Sequence, residues 1–179
     1  MEALIAHFGL LAIALGAGVE GEPFALAGGV LAHRHWLSLH GAMLAAVAGS
    51  FGVDQMWFHL SRTMRHGALV QRIAGRPAFR RSLSLIERNP ALFVLLFRFA
   101  YGLRAVTAVA VGMSGMSSRV FVWLNLVAAV VWGVAFTALG YAAGPMLEAA
   151  QARYGWGLTA LSLGVSGLVV WLLLRWQRR

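Results

Sequence analysis

The sequence has no cysteine and no lysine, and it is poor in acidic residues. Its 179 residues include six aspartates and glutamates against fifteen basic residues, all of them arginine, which gives a formal net charge of +9. The absence of cysteine excludes disulfide bonds, zinc sites built on thiolates and cysteine nucleophiles. Any site chemistry in this chain must therefore rest on other side chains.

Charge of either sign is scarce relative to apolar residues. Charged residues make up 12% of the chain and hydrophobic residues 60%, against about 25% and roughly 45–50% in soluble proteins. A water-soluble domain of this length needs more polar surface than this composition supplies. The sequence therefore predicts an integral membrane protein, and its long uncharged runs predict an all-α fold in one membrane domain over residues 1–179.

The arginines are concentrated beside apolar segments. Seven fall in one stretch and three follow the last apolar run: Arg62, Arg65, Arg72, Arg76, Arg80, Arg81 and Arg88, then Arg175, Arg178 and Arg179. This distribution is typical of cytoplasmic loops next to membrane spans, which also attract anionic lipid headgroups. It predicts a cytoplasmic C-terminus and membrane lipids as partners. A nucleic-acid-binding arm is the less favoured alternative, and no nucleic acid is expected.

The positions of the arginines between the apolar segments predict the topology. If both arginine-rich stretches are cytoplasmic, Arg119 lies on the same face as the start of the segment at residue 91, so residues 91–118 enter and leave on one side. The same argument makes the N-terminal segment a second re-entrant hairpin, from the opposite face. The predicted order is hairpin 3–38, transmembrane helix 40–60, amphipathic cytoplasmic segment 61–90, hairpin 91–118, transmembrane helix 119–142 and transmembrane helix 155–175.

Two units of hairpin plus spanning helix, oppositely oriented, form an inverted repeat of the kind found in secondary transporters. Between the units, residues 61–90 are predicted to form interfacial helices, one opened by Pro77, although a solvated arginine-rich connector is the alternative. The N-terminal apolar stretch lacks the basic region of a signal peptide, so we expect it to be retained.

Five charged residues fall within or beside the apolar segments, and they are the candidate functional residues. They are Glu20, Glu22, Asp54, Arg98 and Arg104. A charged side chain near the bilayer centre costs at least ~2.5–3.5 kcal/mol, so such residues are rare and usually functional.

The spacing of these charges predicts a helix break in each hairpin. Glu20 and Glu22 lie about 200° apart on a continuous helix, but Gly21 and Pro23 favour a break that lets both carboxylates face one cavity. Arg98 and Arg104 lie about 240° apart on a straight helix, with Tyr101-Gly102 between them. A break there would let the two guanidinium groups converge.

The chemistry of these groups suggests roles. The planar donor fork of arginine suits phosphate oxygens, which predicts that Arg98 and Arg104 bind an anionic headgroup. Carboxylates removed from water exchange protons near neutral pH, which predicts proton coupling by Glu20, Glu22 and Asp54. The alternatives are a buried ion-pair cluster that only joins the hairpins and, for Asp54, a helix cap or a partner for Arg62.

No metal or other cofactor is expected. His33, His35 and His40 are close in sequence, as metal ligands often are, but their spacing fits an interfacial loop better. Asn125, in the middle of a predicted span, is expected to bond to a neighbouring helix.

Three motifs resemble those of the DedA family of membrane proteins. Residues 20–29, EGEPFALAGG, resemble its acidic motif; residues 49–55, GSFGVDQ, resemble its G-x-x-x-G-D-Q element; and residues 98–104, RFAYGLR, are similar to its R-F-x-x-G-x-R signature. The resemblance implies opposed re-entrant hairpins and proton-coupled transport of undecaprenyl phosphate or phospholipids in the bacterial inner membrane. It also implies functional roles for Glu20, Glu22, Asp54, Arg98 and Arg104.

The sequence thus leads to the hypothesis of a proton-coupled transporter or flippase, not an enzyme, with a phosphate-bearing lipid and protons as partners. An intramembrane lipid phosphatase or transferase is the first alternative, although no histidine lies within the predicted core spans to act as a base. A non-catalytic membrane scaffold is the second alternative. Association into a homo-oligomer is left open.

Overall fold

The computed structural model describes residues 2–64, 66–75, 89–96 and 104–154. These residues form seven α-helices and contain no strand, in agreement with the predicted fold class. The helices are α1 (Glu2–Val19), α2 (Glu22–His33), α3 (Leu39–Thr63), α4 (Ala68–Ala74), α5 (Pro90–Leu96), α6 (Arg104–Met113) and α7 (Ser118–Tyr154). The chain divides into two compact units, residues 1–142 and residues 143–179.

The break between α1 and α2 falls where the sequence predicts it. Gly21 has a φ of 82°, a left-handed conformation that glycine adopts without a steric penalty. Pro23 lies in the first turn of α2, where its missing N–H leaves no hydrogen bond unmade. The chain therefore leaves one helix and enters the next within two residues.

The end of α2 is a Schellman motif. The backbone N–H of Trp36 donates to Leu31 O at 3.0 Å, and that of His35 donates to Ala32 O at 3.1 Å. His35 takes the left-handed position, with a φ of 59°. The following helix, α3, is capped by Ser38, whose hydroxyl accepts from the Gly41 N–H at 3.1 Å. These signals give α2 and α3 separate, defined ends.

Helix α3 is the centre of the first unit, and α1 packs against it through glycines. A methyl group on Gly49 would collide with the Ala14 backbone, and one on Gly18 would lie 2.7 Å from Val53. Near the other end of α1, the Leu10 side chain lies beside Gly41. Residue numbers rise together in the two helices, so α1 and α3 run parallel, with α2 returning between them.

Helix α7 packs against α3 in the opposite direction. Phe121 stacks on Phe58, with ring centroids 4.2 Å apart, while Gly133 lies against Val47 further along. As residue numbers rise in α7 they fall in α3, so the two long helices are antiparallel. A helix pair followed by a long helix thus occurs twice, and the long helices run in opposite directions.

Two apolar clusters fill the first unit. One lies among α1, α2, α3 and α7 and includes Ile13, Ala25 and Trp132. The other lies among α3, α5, α6 and α7 and is built around Phe58, Phe93 and Val109. Each cluster joins one helix pair to both long helices, α3 and α7. The two long helices therefore connect the two halves of this unit.

The predicted membrane spans agree with the helices of the structure only in part. Among the described residues, one helix is long and apolar enough to cross a bilayer, Ser118–Arg153. It continues past the predicted end at residue 142, through Pro145. The predicted span 40–60 corresponds to α3, which at 25 residues is about 37 Å long but is less apolar than α7.

Several predictions fall outside the described residues. The helix opened by Pro77, the residues around Arg98 and the predicted span 155–175 all lie there. Within the predicted cytoplasmic segment the structure describes α4, which contacts α6. In the second unit the described residues are the last part of α7, which carries Arg153 in its final turn.

Candidate functional site

The acidic pair lies at the junction between α1 and α2. Glu20 is an exposed turn residue, and Glu22 is the half-buried first residue of α2. Gly21 between them is buried and provides no side-chain cap for α2. The break thus places two carboxylates at the end of a packed helix pair.

This junction lies beside the middle of α3. Gly18, two residues before Glu20, is close enough to α3 that an added methyl group would lie 3.0 Å from Gly49 O. Asp54, one helical turn further along α3, is 6% exposed. The fold therefore brings the acidic break and the buried aspartate to one level of α3, although they are separated by more than thirty positions in sequence.

Asp54 lies on the buried face of α3. The buried residues of this helix recur mainly at four-residue intervals, and half of them are polar or charged: Ala42, Ala46, Ser50, Asp54, Phe58 and Ser61. On the α7 side, Asn125 is 2% exposed, and its Nδ2 donates to Phe51 O at 3.4 Å. The prediction that Asn125 bonds to a neighbouring helix is confirmed. Asp54 thus lies on a face with hydroxyl groups, next to a helix that contributes a buried amide.

Two structural alternatives for Asp54, a cap of its own helix and a partner for Arg62, do not match the structure. Asp54 lies in the interior of α3, so it caps neither end of that helix. The guanidinium of Arg62 donates instead to Ser118 and to Met116, on the connection between α6 and α7. Asp54 is therefore neither a cap of α3 nor the hydrogen-bonding partner of Arg62.

The two predicted arginines are described to different extents. Arg98 lies outside the described residues, and Arg104 is the first residue of α6, described for its backbone. α6 packs along α3, and a methyl group on Gly112 would collide with Ser61 Oγ. Because α3 ends at Thr63, α6 must extend back along it, which places the backbone of Arg104 about 12 Å from Gly112 in the direction of Asp54.

Gln55 is a polar residue next to Asp54 for which the sequence predicts no role. Both polar atoms of the Gln55 carboxamide are buried, and neither has a hydrogen-bond partner among the residues that the structure describes. An unpaired buried polar group costs about 1–3 kcal/mol, so it calls for a functional or structural reason. Its place directly after Asp54 in the G-x-x-x-G-D-Q element was the available signal.

The three clustered histidines, His33, His35 and His40, lie on two helices and the turn between them. Within the described ranges, no group of three or more histidine, aspartate or glutamate side chains is arranged to hold a metal ion. His33 packs edge-on against Tyr141, with ring centroids 5.3 Å apart. His35 and His40 are exposed, on either side of Ser38.

Comparison with known proteins covers most of the chain. The sequence model of the VTT domain matches residues 19–142. Inner membrane protein YohD of Escherichia coli (strain K12) is 33% identical over 148 residues, which cover 82% of this chain and 77% of that protein. No solved structure gives a significant match. The VTT domain match contains every predicted site residue, from Glu20 to Arg104.

Proposed function

The chain belongs to the DedA family of VTT-domain membrane proteins, and from this premise we propose that it is a proton-coupled transporter of a phosphate-bearing lipid. Undecaprenyl phosphate and phospholipids are the proposed substrates. The proposed binding groups are the guanidinium groups of Arg98 and Arg104, because a planar donor fork pairs with two phosphate oxygens at once. Glu20, Glu22 and Asp54 are the proposed proton-coupling groups.

One observation carries this proposal: a helix break with two carboxylates lies at the level of a buried aspartate on α3. A purely structural helix pair needs neither the break nor the acids, since both are costly in an apolar environment. Broken helices that meet in the middle of a bundle are the usual way in which secondary transporters build a substrate site. α6, which begins with Arg104, packs along the same helix.

The proposed mechanism alternates between two pairings of the arginines. When the carboxylates are protonated, the guanidinium groups are free to bind the lipid phosphate. When the carboxylates lose their protons, they pair with the arginines and the phosphate is released. Each transport step then moves a proton together with a change in arginine pairing, which couples lipid movement to the proton gradient.

We further propose that residues 3–38 and 91–118 are re-entrant hairpins of a multi-pass inner membrane protein with a cytoplasmic C-terminus. Two observations support this. α2 and α6, at 12 and 10 residues, are about 18 and 15 Å long, close to half of the ~30 Å hydrocarbon core. The antiparallel arrangement of α3 and α7 is the relation that an inverted repeat requires.

Transport of a lipid phosphate by purified protein in proteoliposomes tests the proposal. We expect translocation by the wild type and its loss in Arg98→Ala, Arg104→Ala and Glu20→Gln. Arg98→Lys should also impair transport, because an ammonium group cannot reproduce the planar fork. Arg119→Ala is the matched control. Arg119 is exposed at the start of α7, where a positive charge does not stabilise the helix, so its removal should leave transport intact.

The same assay separates the alternatives. Release of inorganic phosphate, or transfer of the phosphate to an acceptor, would identify a phosphatase or transferase. Equal translocation by wild type and all charge variants would remove the site assignment. If the variants change only thermal unfolding and the wild type moves no lipid, the protein is a scaffold and the transport proposal is wrong.

A further inference from the structure

Near the end of α3, the side chain of Arg62 forms hydrogen bonds to the connection between α6 and α7 and to the first residue of α7. Arg62 donates from Nη1 to Ser118 Oγ at 2.8 Å and from Nη2 to Met116 O at 2.7 Å. Its guanidinium carbon also lies 5.0 Å from the centroid of the Phe58 ring, a distance at which a cation is attracted to the ring face. Phe58 in turn stacks on Phe121 of α7. We call these five residues the Arg62 joint.

The connection that Arg62 holds is itself ordered by hydrogen bonds. The Ser114 hydroxyl donates to Val111 O at 2.7 Å and accepts from the Met116 N–H at 3.3 Å. The Ser117 hydroxyl accepts from the Val120 N–H at 3.4 Å, at the start of α7. Because the connection is bonded to both helices, a shift of its position along α3 shifts the end of α6 with it.

Close packing beside the joint leaves α6 little freedom. Gly112 is pressed against α3, since an added methyl group would lie 2.6 Å from Phe58 O. Val109, Ala110 and Val111 are fully buried in the neighbouring apolar cluster. α6 is a short helix fixed at its C-terminal end, so the position of that end determines where its first residue, Arg104, lies along α3.

We propose that Arg62 is a positioning residue for the lipid-phosphate site, which acts by setting the register of α6, and with it Arg104, on α3. This inference rests on the proposed function, because it takes Arg104 to bind the phosphate. Arg62 itself does not contact the substrate. Its role is to bind two acceptors at once, Met116 O on the connection and Ser118 Oγ at the start of α7. The planar guanidinium of arginine can do this in a fixed geometry, whereas the ammonium group of lysine cannot.

Transport kinetics distinguish a positioning role of Arg62 from a role in the stability of the protein. A misplaced Arg104 binds the lipid phosphate less tightly, so Arg62→Lys and Arg62→Ala should raise the apparent KM for the lipid, by about tenfold if one charge-assisted hydrogen bond is lost. Loss of folded protein would instead lower the maximal rate at constant KM. Ser118→Ala removes one acceptor and leaves the arginine in place, so it should raise KM less. Arg119→Ala, one residue further on, should leave KM unchanged.

A spectroscopic measurement tests the joint without transport. The chain has no cysteine, so spin labels can be attached at Thr63→Cys and Gly115→Cys, both exposed positions on opposite sides of the joint. In the otherwise wild-type protein, EPR dipolar broadening should report one short distance. Arg62→Ala should lengthen or broaden that distance, and Arg119→Ala should not.

The two readouts separate failure of this inference from failure of the proposed function. If the wild type transports lipid phosphate, and Arg62→Ala keeps both its KM and its spin–spin distance, Arg62 has no positioning role. The same holds if Arg62→Ala lowers only the maximal rate. If the wild type transports no lipid phosphate, the proposed function fails, whereas the distance measurement still reports whether Arg62 fixes the connection.

Discussion

At the scale of single residues, the most informative side chains are the polar ones on and beside the buried face of α3. Asp54 and Ser50 are buried there, and Asn125 reaches the same helix from α7. In an apolar protein each of these groups must be satisfied by another polar group, so they determine which helices can be neighbours. Gln55 departs from this rule because its carboxamide atoms have no partner within the described part of the chain.

Gln55→Met tests whether this unpaired amide is retained for function. Methionine has a similar length and no polar group to leave unsatisfied, so we expect the free energy of unfolding to rise by about 1–2 kcal/mol. We also expect lipid transport to fall, because a polar group next to Asp54 is lost. Thermal unfolding in detergent and the proteoliposome assay measure the two effects.

The control for this substitution is His40→Met, at an exposed position of the same helix. Removal of an exposed polar group should change the stability of the protein by less than about 0.5 kcal/mol. A Gln55→Met variant with unchanged stability and full transport would contradict both expectations for Gln55.

At the scale of helices, the packing depends on glycines at points where two helices come into backbone contact. Gly29 of α2 faces the backbone of α7, Gly140 of α7 faces the backbone of α2 at Leu26, and Gly49 of α3 faces α1. Small residues at such contacts allow close approach of helices in membranes. Gly133 of α7 likewise lies close to Val47 of α3, whereas a methyl group on Gly52 would have no neighbour within 4 Å among the described residues.

Gly49 and Gly52 therefore give opposite predictions on one helix. Gly49→Ala would force a methyl group into the Ala14 backbone, and we expect it to destabilise the protein by roughly 1–3 kcal/mol. Gly52→Ala meets no atom and improves helix propensity, so it should stabilise by up to about 1 kcal/mol. Thermal unfolding of the two variants, side by side, measures the difference. Equal effects of the two substitutions would show that close approach at Gly49 is unimportant.

At the scale of the whole molecule, the central prediction is that the second helix pair begins and ends on the cytoplasmic side. Because the chain has no cysteine, single cysteines can report the side of the membrane without background. We expect Thr63→Cys and Gly115→Cys to react with an impermeant thiol reagent from the cytoplasmic side. His40→Cys should react from the periplasmic side.

All three positions are exposed in the structure, so burial should not prevent the reaction. Labelling of Thr63→Cys and Gly115→Cys from opposite sides would mean that the segment between them crosses the membrane an odd number of times. In that case the re-entrant hairpin at 91–118 and the inverted repeat would both be wrong.

The sequence by itself determined the membrane character, the all-helical fold and the break at Gly21, because composition, uncharged runs and the properties of glycine and proline act locally. It also identified Asp54 and Asn125 as unusual, since polar groups are conspicuous in apolar segments. Only the tertiary structure decided which residues these groups meet. The link from Arg62 to Met116 and Ser118 joins positions more than fifty residues apart, and the unpaired amide of Gln55 is recognisable only once its neighbours are in place. Such contacts depend on how helices pack in three dimensions, which hydrophobic pattern and charge parity do not specify.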